Sequence, residues 1–205
     1  MIYTLMRYLL ILLFMTGLNC FAQDYKAQID QFRQGYMNDF LTDTHSPLKK
    51  DDLKNLRFYD ADSTYRVTCK VTLLSNETNF VMPVFHGTGS QYVKYALLEF
   101  ILQGKPMELT VYKSIYLSQN PMFSNYLFLP FTDDTNGQET YGGGRYIDLK
   151  TTDFKGAALV VDFNKAYNPY CAFSPNYSCP KPPDENRLTL AVKAGEKQFA
   201  GGVNH

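Results

Sequence analysis

The densest run of reactive side chains is DDTNGQETYGGGRYIDL, residues 133–149, which sets Asp133, Asp134, Glu139 and Arg145 between apolar stretches. Two carboxylates whose surroundings push their pKa values apart can serve as general acid and general base. Asp133 and Glu139 are therefore the catalytic candidates. Turn chemistry accounts for the same acids differently. An aspartate side chain accepts nearby backbone N–H groups, and Asp133-Asp134 followed by Thr135-Asn136-Gly137 has the composition of such a turn. Arg145 follows three glycines on an expected strand. It either holds an anionic ligand through its planar fork or pairs with an acid such as Asp162 or Glu139. The glycines allow a close approach of backbone or ligand. They do not make a phosphate loop, because no Lys-Ser or Lys-Thr ending and no helix signal follow. No Gly-x-Ser-x-Gly elbow occurs, so a hydrolase of that type is unsupported.

Downstream, VVDFNKAYNPYC ends an expected strand in Asp162 and Asn164 and breaks at Asn168-Pro169. A polar cleft built from both stretches would draw on Arg145 and Asn164 to orient a small polar or anionic ligand. Tyr141 and Tyr167 would be its walls, and Asp162 and Asn168 would complete the lining. CAFSPNYSCPKPPDENRL then encloses a proline-rich loop between Cys171 and Cys179, and KAGEK follows near the C-terminus. The two cysteines either bridge or remain thiols, since spacing alone does not show that they face each other. Their spacing is not that of a thioredoxin-like motif. A zinc site from Cys171, Cys179 and His86 lacks regular ligand spacing. No metal and no cofactor is expected.

The stretches FTDDTNGQETYGGGRYIDL, VVDFNKAYNPYCAFSPNYSCPKPPDENRL and VKAGEK, in that order, resemble the bacterial domain of unknown function 1684 family. The resemblance runs over about residues 56–197. It rests on Phe131, Asp133, Thr135, Gly137, Glu139, Thr140, Tyr141, Gly144, Arg145 and Tyr146, and on residues 162–171 and 179–187. It implies membership of a group with no established activity to carry over. The leader of this chain looks like an addition to the family pattern, so the cysteines need not exist only to form a bridge.

These residues must be positioned by the elements around them. Residues 1–22 carry Arg7, the apolar run YLLILLFM and a small-residue end, the pattern of a secretory leader cleaved after Ala22. The run is too short to span a bilayer. Cys20 offers a lipid anchor as the alternative, although Gly17 and Asn19 fit a lipobox poorly. Residues 23–56 read as a helical segment: Tyr25, Ile29, Phe32, Tyr36 and Phe40 lie on one helix face, Asp24 is the expected N-cap, and KKDDLKNL suggests a short second helix. Residues 57–199 read as β. YRVTCKVTL, NFVMPVFH, QYVKYALLEFILQ, MELTVYKSIYL, YLFLPF, RYIDL, AALVVDF and RLTLAVKAG make about eight strands with short connections. Pro83 marks an edge or bulge, and Gly104-Lys105-Pro106 a turn. Residues 200–205 read as a flexible tail. The expected class is mostly β (α+β), an antiparallel barrel or two-layer sandwich with an N-terminal helix.

Composition narrows the function classes. The chain has 20 basic and 20 acidic residues, so it lacks the charge of a nucleic-acid binder. After leader cleavage no integral membrane segment is expected, and the protein reads as exported, periplasmic or secreted. Asn76 and Asn176 match glycosylation acceptors, which the bacterial resemblance makes incidental. Three functional readings stand: a small-ligand binding protein, an enzyme of the hydrolase or lyase type using Asp133 or Glu139 beside Arg145, and a polar network with no site at all. Oligomeric state is not legible.

Overall fold

The structure, a computed structural model, describes residues 23–202. The expected leader with Cys20 and the end of the tail with His205 lie outside the described residues.

Alternating side chains form the strands, and the alternation sets the two faces of one sheet. The strands are β1 (Arg66–Leu73), β2 (Phe80–Val81), β3 (Gln91–Leu102), β4 (Lys105–Ser114), β5 (Tyr126–Phe131), β6 (Arg145–Lys150) and β7 (Ala158–Asp162). They make a 7-stranded sheet in the order β6-β5-β4-β3-β1-β7, with β2 paired to β3, and every ladder is antiparallel. The sheet curls into an open half-barrel, and the class is mostly β with a helix at the N-terminal side. The β3–β4 hairpin turns one residue earlier than the glycine and proline suggest. Gln103 and Gly104 both take positive φ (51° and 75°), as a two-residue turn matched to strand twist requires. Lys105 and Pro106 already belong to β4.

The inner face carries the main core. Val67, Cys69, Ala96, Leu98, Leu109, Val111, Leu127, Leu129, Ile147 and Val161 pack there with Phe131 and Phe163. Leu188, Leu190, Val192 and Ala194 close the open side of this core. The alternation of RLTLAVKAG predicts an eighth strand, and it does deliver those four residues inward. The segment joins no ladder, however. Leu188, Leu190 and Gly195 make single backbone hydrogen bonds to Thr132, Asp134 and Tyr59, and side chains take up other backbone groups, as described below.

The outer face of β3 to β6 is also apolar. Tyr92, Tyr112, Phe128 and Tyr146 form a second cluster there with Met82 and Cys179. Tyr92 has the same sequence parity as the inward Ala96 yet faces outward. A bulge between Lys94 and Ala96 inserts one residue, so pairs before it (Lys94↔Tyr112) and after it (Ala96↔Val111) lie on opposite faces.

Helix α1 (residues 23–42) is the long helix of the described chain. Ile29 and Phe40 are buried from its apolar stripe. Tyr36 packs on Phe58 and Tyr167, and Phe40 on Tyr170 and Phe173. Asp24 is not an N-cap: it lies inside the helix and accepts the Gln28 side-chain amide at 3.0 Å. The second helix shrinks to one 3₁₀ turn, Leu53–Asn55. Three residues per turn still bring Leu53 and Leu56 to the same cluster beneath α1.

Candidate functional site

Most of the residues singled out in the sequence form a buried hub at the end of β5 and β6. The register Phe131↔Arg145 sets the turn after β5 beside the start of β6. Asp133 Oδ2 accepts Arg145 Nη2 at 2.8 Å, with both side chains fully buried. Asp133 Oδ1 accepts the Thr135 amide at 2.8 Å, the Thr135 hydroxyl at 2.6 Å and the Val192 amide at 3.2 Å. Arg145 then donates to three alternate carbonyls of the C-terminal segment: Val192 at 2.9 Å, Ala194, and Glu196 at 3.3 Å. Alternate carbonyls of an extended chain point the same way, so one guanidinium gathers three of them where no strand ladder runs. Gly144 (φ 92°) makes room, since a Cβ there would meet the Phe131 carbonyl at 2.8 Å.

The other candidates are similarly committed. Glu139 lies at the surface, where the Lys193 ammonium 2.9 Å away holds its carboxyl below the usual carboxylate range. Asp162 accepts the Tyr25 hydroxyl and the Asn164 amide, all at 3.0 Å. Asn164 donates to the Asp62 carbonyl at 2.8 Å and accepts its amide at 2.9 Å, tying β7 to the segment before β1. Asn168 is buried; its backbone amide donates to Glu196 Oε2 at 2.7 Å and its side chain to the Lys197 carbonyl. Tyr141 packs against Phe85. Asp133, Arg145, Asp162, Asn164 and Asn168 thus do not share a cleft with one another. Arg145 pairs with Asp133 rather than with Asp162 or Glu139, and its two terminal nitrogens are taken up by that carboxylate and three carbonyls.

Sequence reasoning passed over Glu196. Its carboxyl is fully buried. Tyr36 donates to Oε2 at 2.9 Å beside the Asn168 amide, while Oε1 has no partner. Burial pushes this acid up to about 8 against the pull of these donors and of Arg145.

A cavity of about 940 Å³ lies elsewhere, between α1 and the outer face of the sheet. Of the six ligand-binding candidates, Tyr167 alone lines it. Its walls include Phe32, Tyr36 and Phe40 of α1, Tyr126 and Phe128 of β5, Tyr146 of β6, and Tyr170 and Tyr177. Asp148 of β6 lies among these rings. Its Oδ1 accepts Tyr167 at 2.7 Å and Tyr126 at 2.9 Å. No donor among the described residues reaches Oδ2. The residue is accessible to solvent and lines the cavity among its aromatic walls. That enclosure raises its carboxyl above the usual range, and the two phenols only partly offset it. Cys171 and Cys179, with Cα atoms 6.1 Å apart, are joined as a disulfide that anchors the loop carrying Tyr177. The bond removes both thiolates from the zinc alternative. Among the described residues no group of three potential metal ligands occurs, and no helix is long and apolar enough to cross a membrane.

The signal for this cavity was present in YLFLPF and RYIDL. Both strands are apolar on two faces, and Tyr126, Phe128, Tyr146 and Asp148 occupy the second. A strand apolar on both faces needs two covering layers, and the aromatic stripe of α1 is the second cover.

No functionally curated protein matches the chain. Among solved structures it is similar to the solution NMR structure of the uncharacterized protein from gene locus rrnAC0354 of Haloarcula marismortui. The two share 33% identity over 85% of this chain and 95% of that one, with a TM-score of 0.66. The family model described as a protein of unknown function (DUF1684) matches residues 51–197, slightly more than the motifs indicated. With the motif order, the fold and the solved relative in agreement, the chain belongs to the DUF1684 family.

Proposed function

We propose that the protein binds a small ligand in the cavity between α1 and the outer face of β5 and β6. Asp148 is its polar anchor and the tyrosines are its walls. The supporting observation is a carboxylate oxygen without a partner inside an aromatic cavity of ligand size. Gly35 adds to it. This glycine lies within α1 on the cavity wall, and a Cβ there would meet nothing within 4 Å. Glycine inside a helix costs about 1 kcal/mol relative to alanine, and here it leaves the space clear.

Gly35→Phe is the test, because it fills the cavity while improving helix propensity. Compounds that raise the thermal midpoint of the wild type should lose that effect in Gly35→Phe, whose own midpoint is unchanged or higher. Equal stabilisation of both proteins would sink the reading.

The enzyme reading moves from Asp133 and Glu139 to Asp148, which lines the cavity and whose carboxyl is held above the usual range. Asp148→Asn that still binds a substrate but no longer turns it over would support catalysis. We also infer export, on the leader pattern of residues 1–22 and the Cys171–Cys179 bond. The mass of the protein recovered outside the cytoplasm tests this: a mature chain beginning at Gln23 is expected, and an intact Met1 in the cytoplasmic fraction would refute it.

A further inference from the structure

Resting on the cavity reading above, we propose that the ligand class is a protonated amine with an apolar or aromatic body, its ammonium placed on the free Oδ2 of Asp148. Three observations converge on a cation.

The first is the disposition of the tyrosines. Six of the seven tyrosines that line the cavity donate their hydroxyls to protein acceptors. Tyr36 donates to Glu196, Tyr146 to the Pro180 carbonyl, Tyr170 to Asp43 and Tyr177 to the His45 carbonyl. Tyr126 and Tyr167 both spend theirs on Asp148 Oδ1. The wall therefore offers rings rather than hydroxyls. A phenol that donates to a carboxylate or carbonyl gains electron density on its ring, which strengthens the attraction of its face for a cation. The rings are also mutually braced: Tyr146 and Tyr167 lie edge to face with centroids 5.9 Å apart, and Tyr36 lies 5.8 Å from Tyr167.

The second is charge. Asp148 and Asp39 line the cavity against one basic residue, Lys165. Lys165 does not neutralise Asp148. Its ammonium sits over the Phe32 ring at 5.4 Å and forms no ion pair with either acid among the described residues. With Lys165 counted, the charged residues that line the cavity leave one excess negative charge.

The third is the asymmetry of Asp148. One oxygen is saturated by two phenols, which fixes the carboxyl plane and leaves the other oxygen as a lone acceptor. An N–H donor with positive charge would engage that oxygen in a charge-assisted hydrogen bond. An anion would meet Asp148 itself as a repelling charge.

The test uses three molecules with one shared body: phenethylamine, 2-phenylethanol and 3-phenylpropionate. Their affinities are measured by calorimetry at neutral pH on the wild type, Asp148→Asn, Lys165→Ala and Gly35→Phe. The amine should bind at least tenfold more tightly than the alcohol, and the acid should bind least. Asp148→Asn should erase the preference for the amine while leaving alcohol binding unchanged. Lys165→Ala should leave the preference intact, and Gly35→Phe should abolish all binding. Alcohol or acid binding as tight as the amine in the wild type, or an amine preference that survives Asp148→Asn, overturns the amine class and leaves the cavity reading standing. Binding of none of the three overturns both.

Discussion

Arg145 and Asp148 stand three residues apart on β6, one on each face of the sheet, and their charges have opposite fates. Arg145 points into the core, where a carboxylate and three carbonyls take up its terminal nitrogens. Asp148 points into the cavity with one oxygen held by two phenols and the other free. The first site is closed electrostatically and sterically; the second is incomplete. A buried charge is therefore not by itself a sign of function. The informative feature is a polar atom that no donor among the described residues engages and that lies beside a cavity. The hub does leave Arg145 Nε and Glu196 Oε1 without partners, but neither residue lines the cavity.

The sharpest way to break this comparison is to remove the hub charge. Arg145→Met leaves Asp133 buried without its counter-charge and frees the carbonyls of Val192, Ala194 and Glu196. Loss of one partner from a buried pair costs about 3–5 kcal/mol, so urea unfolding should show a much lowered midpoint or no folded protein. Arg145→Lys should not rescue it, because one ammonium cannot reach a carboxylate and a row of carbonyls together. An Arg145→Met protein of near wild-type stability would show that the C-terminal segment is held by its apolar side chains alone.

Glu196 sharpens the comparison through pH. Its folded pKa, about 8, lies above the ordinary glutamate value of 4.5. The native state therefore binds a proton that the unfolded chain releases. The stability this contributes is fully present below about pH 4.5, is lost as pH rises toward 8, and is flat beyond. Glu196→Gln keeps an acceptor for Tyr36 and for the Asn168 amide but cannot ionise. Relative to the variant, the wild type should lose on the order of a few kcal/mol between pH 5 and pH 8. Parallel stability profiles would mean that Glu196 is ionised in the fold, with Arg145 as its effective counter-charge.

A smaller effect separates the two regions by redox state. The Cys171–Cys179 bond closes a short loop, with a sequence separation of 8, on the cavity side. Replacing both cysteines by alanine should cost about 2 kcal/mol. It should loosen the wall carrying Tyr177 without disturbing Arg145. Amide exchange is expected to rise in residues 170–180 and stay unchanged at residues 192–196. Exchange that rises equally in both would show that the hub and the cavity wall unfold as one unit.

The legible and illegible parts of this molecule divide along the same line. Period-two alternation exposed the strands, and the turn chemistry of Asp134, Asn136 and Gly137 exposed the local role of that stretch, while the role of Asp133 stayed open. The partner of Arg145 was hidden because register, not spacing, decides it: Asp133 reaches Arg145 only through the pairing of β5 with β6. The eighth strand failed for a related reason. Alternation reports which side chains go inward, but not whether the backbone finds a ladder or a guanidinium. Asp148 was passed over because it looked like the polar member of an alternating strand. Only the bulge in β3, the second aromatic face and the seating of α1 enclose it, and each depends on contacts distant in sequence.

The smallest expected effects are also the most discriminating for function. Asp148 has a raised folded pKa, so its contribution to stability is present below the unfolded value and is lost as pH rises through the folded one. At neutral pH its ionised form is a mild burden. Asp148→Asn should therefore fold with a midpoint unchanged or slightly raised, within about 1 kcal/mol of the wild type. Glu139→Gln, which removes only a surface ion pair with Lys193, should show no measurable shift. The two variants then differ in one property: Asp148→Asn should lose the response to amines that Glu139→Gln retains. A substantial loss of stability in Asp148→Asn would instead make Asp148 a structural brace for Tyr126 and Tyr167. The free oxygen would then have no role beyond leaving those phenols an acceptor, and the contrast with Arg145 would collapse.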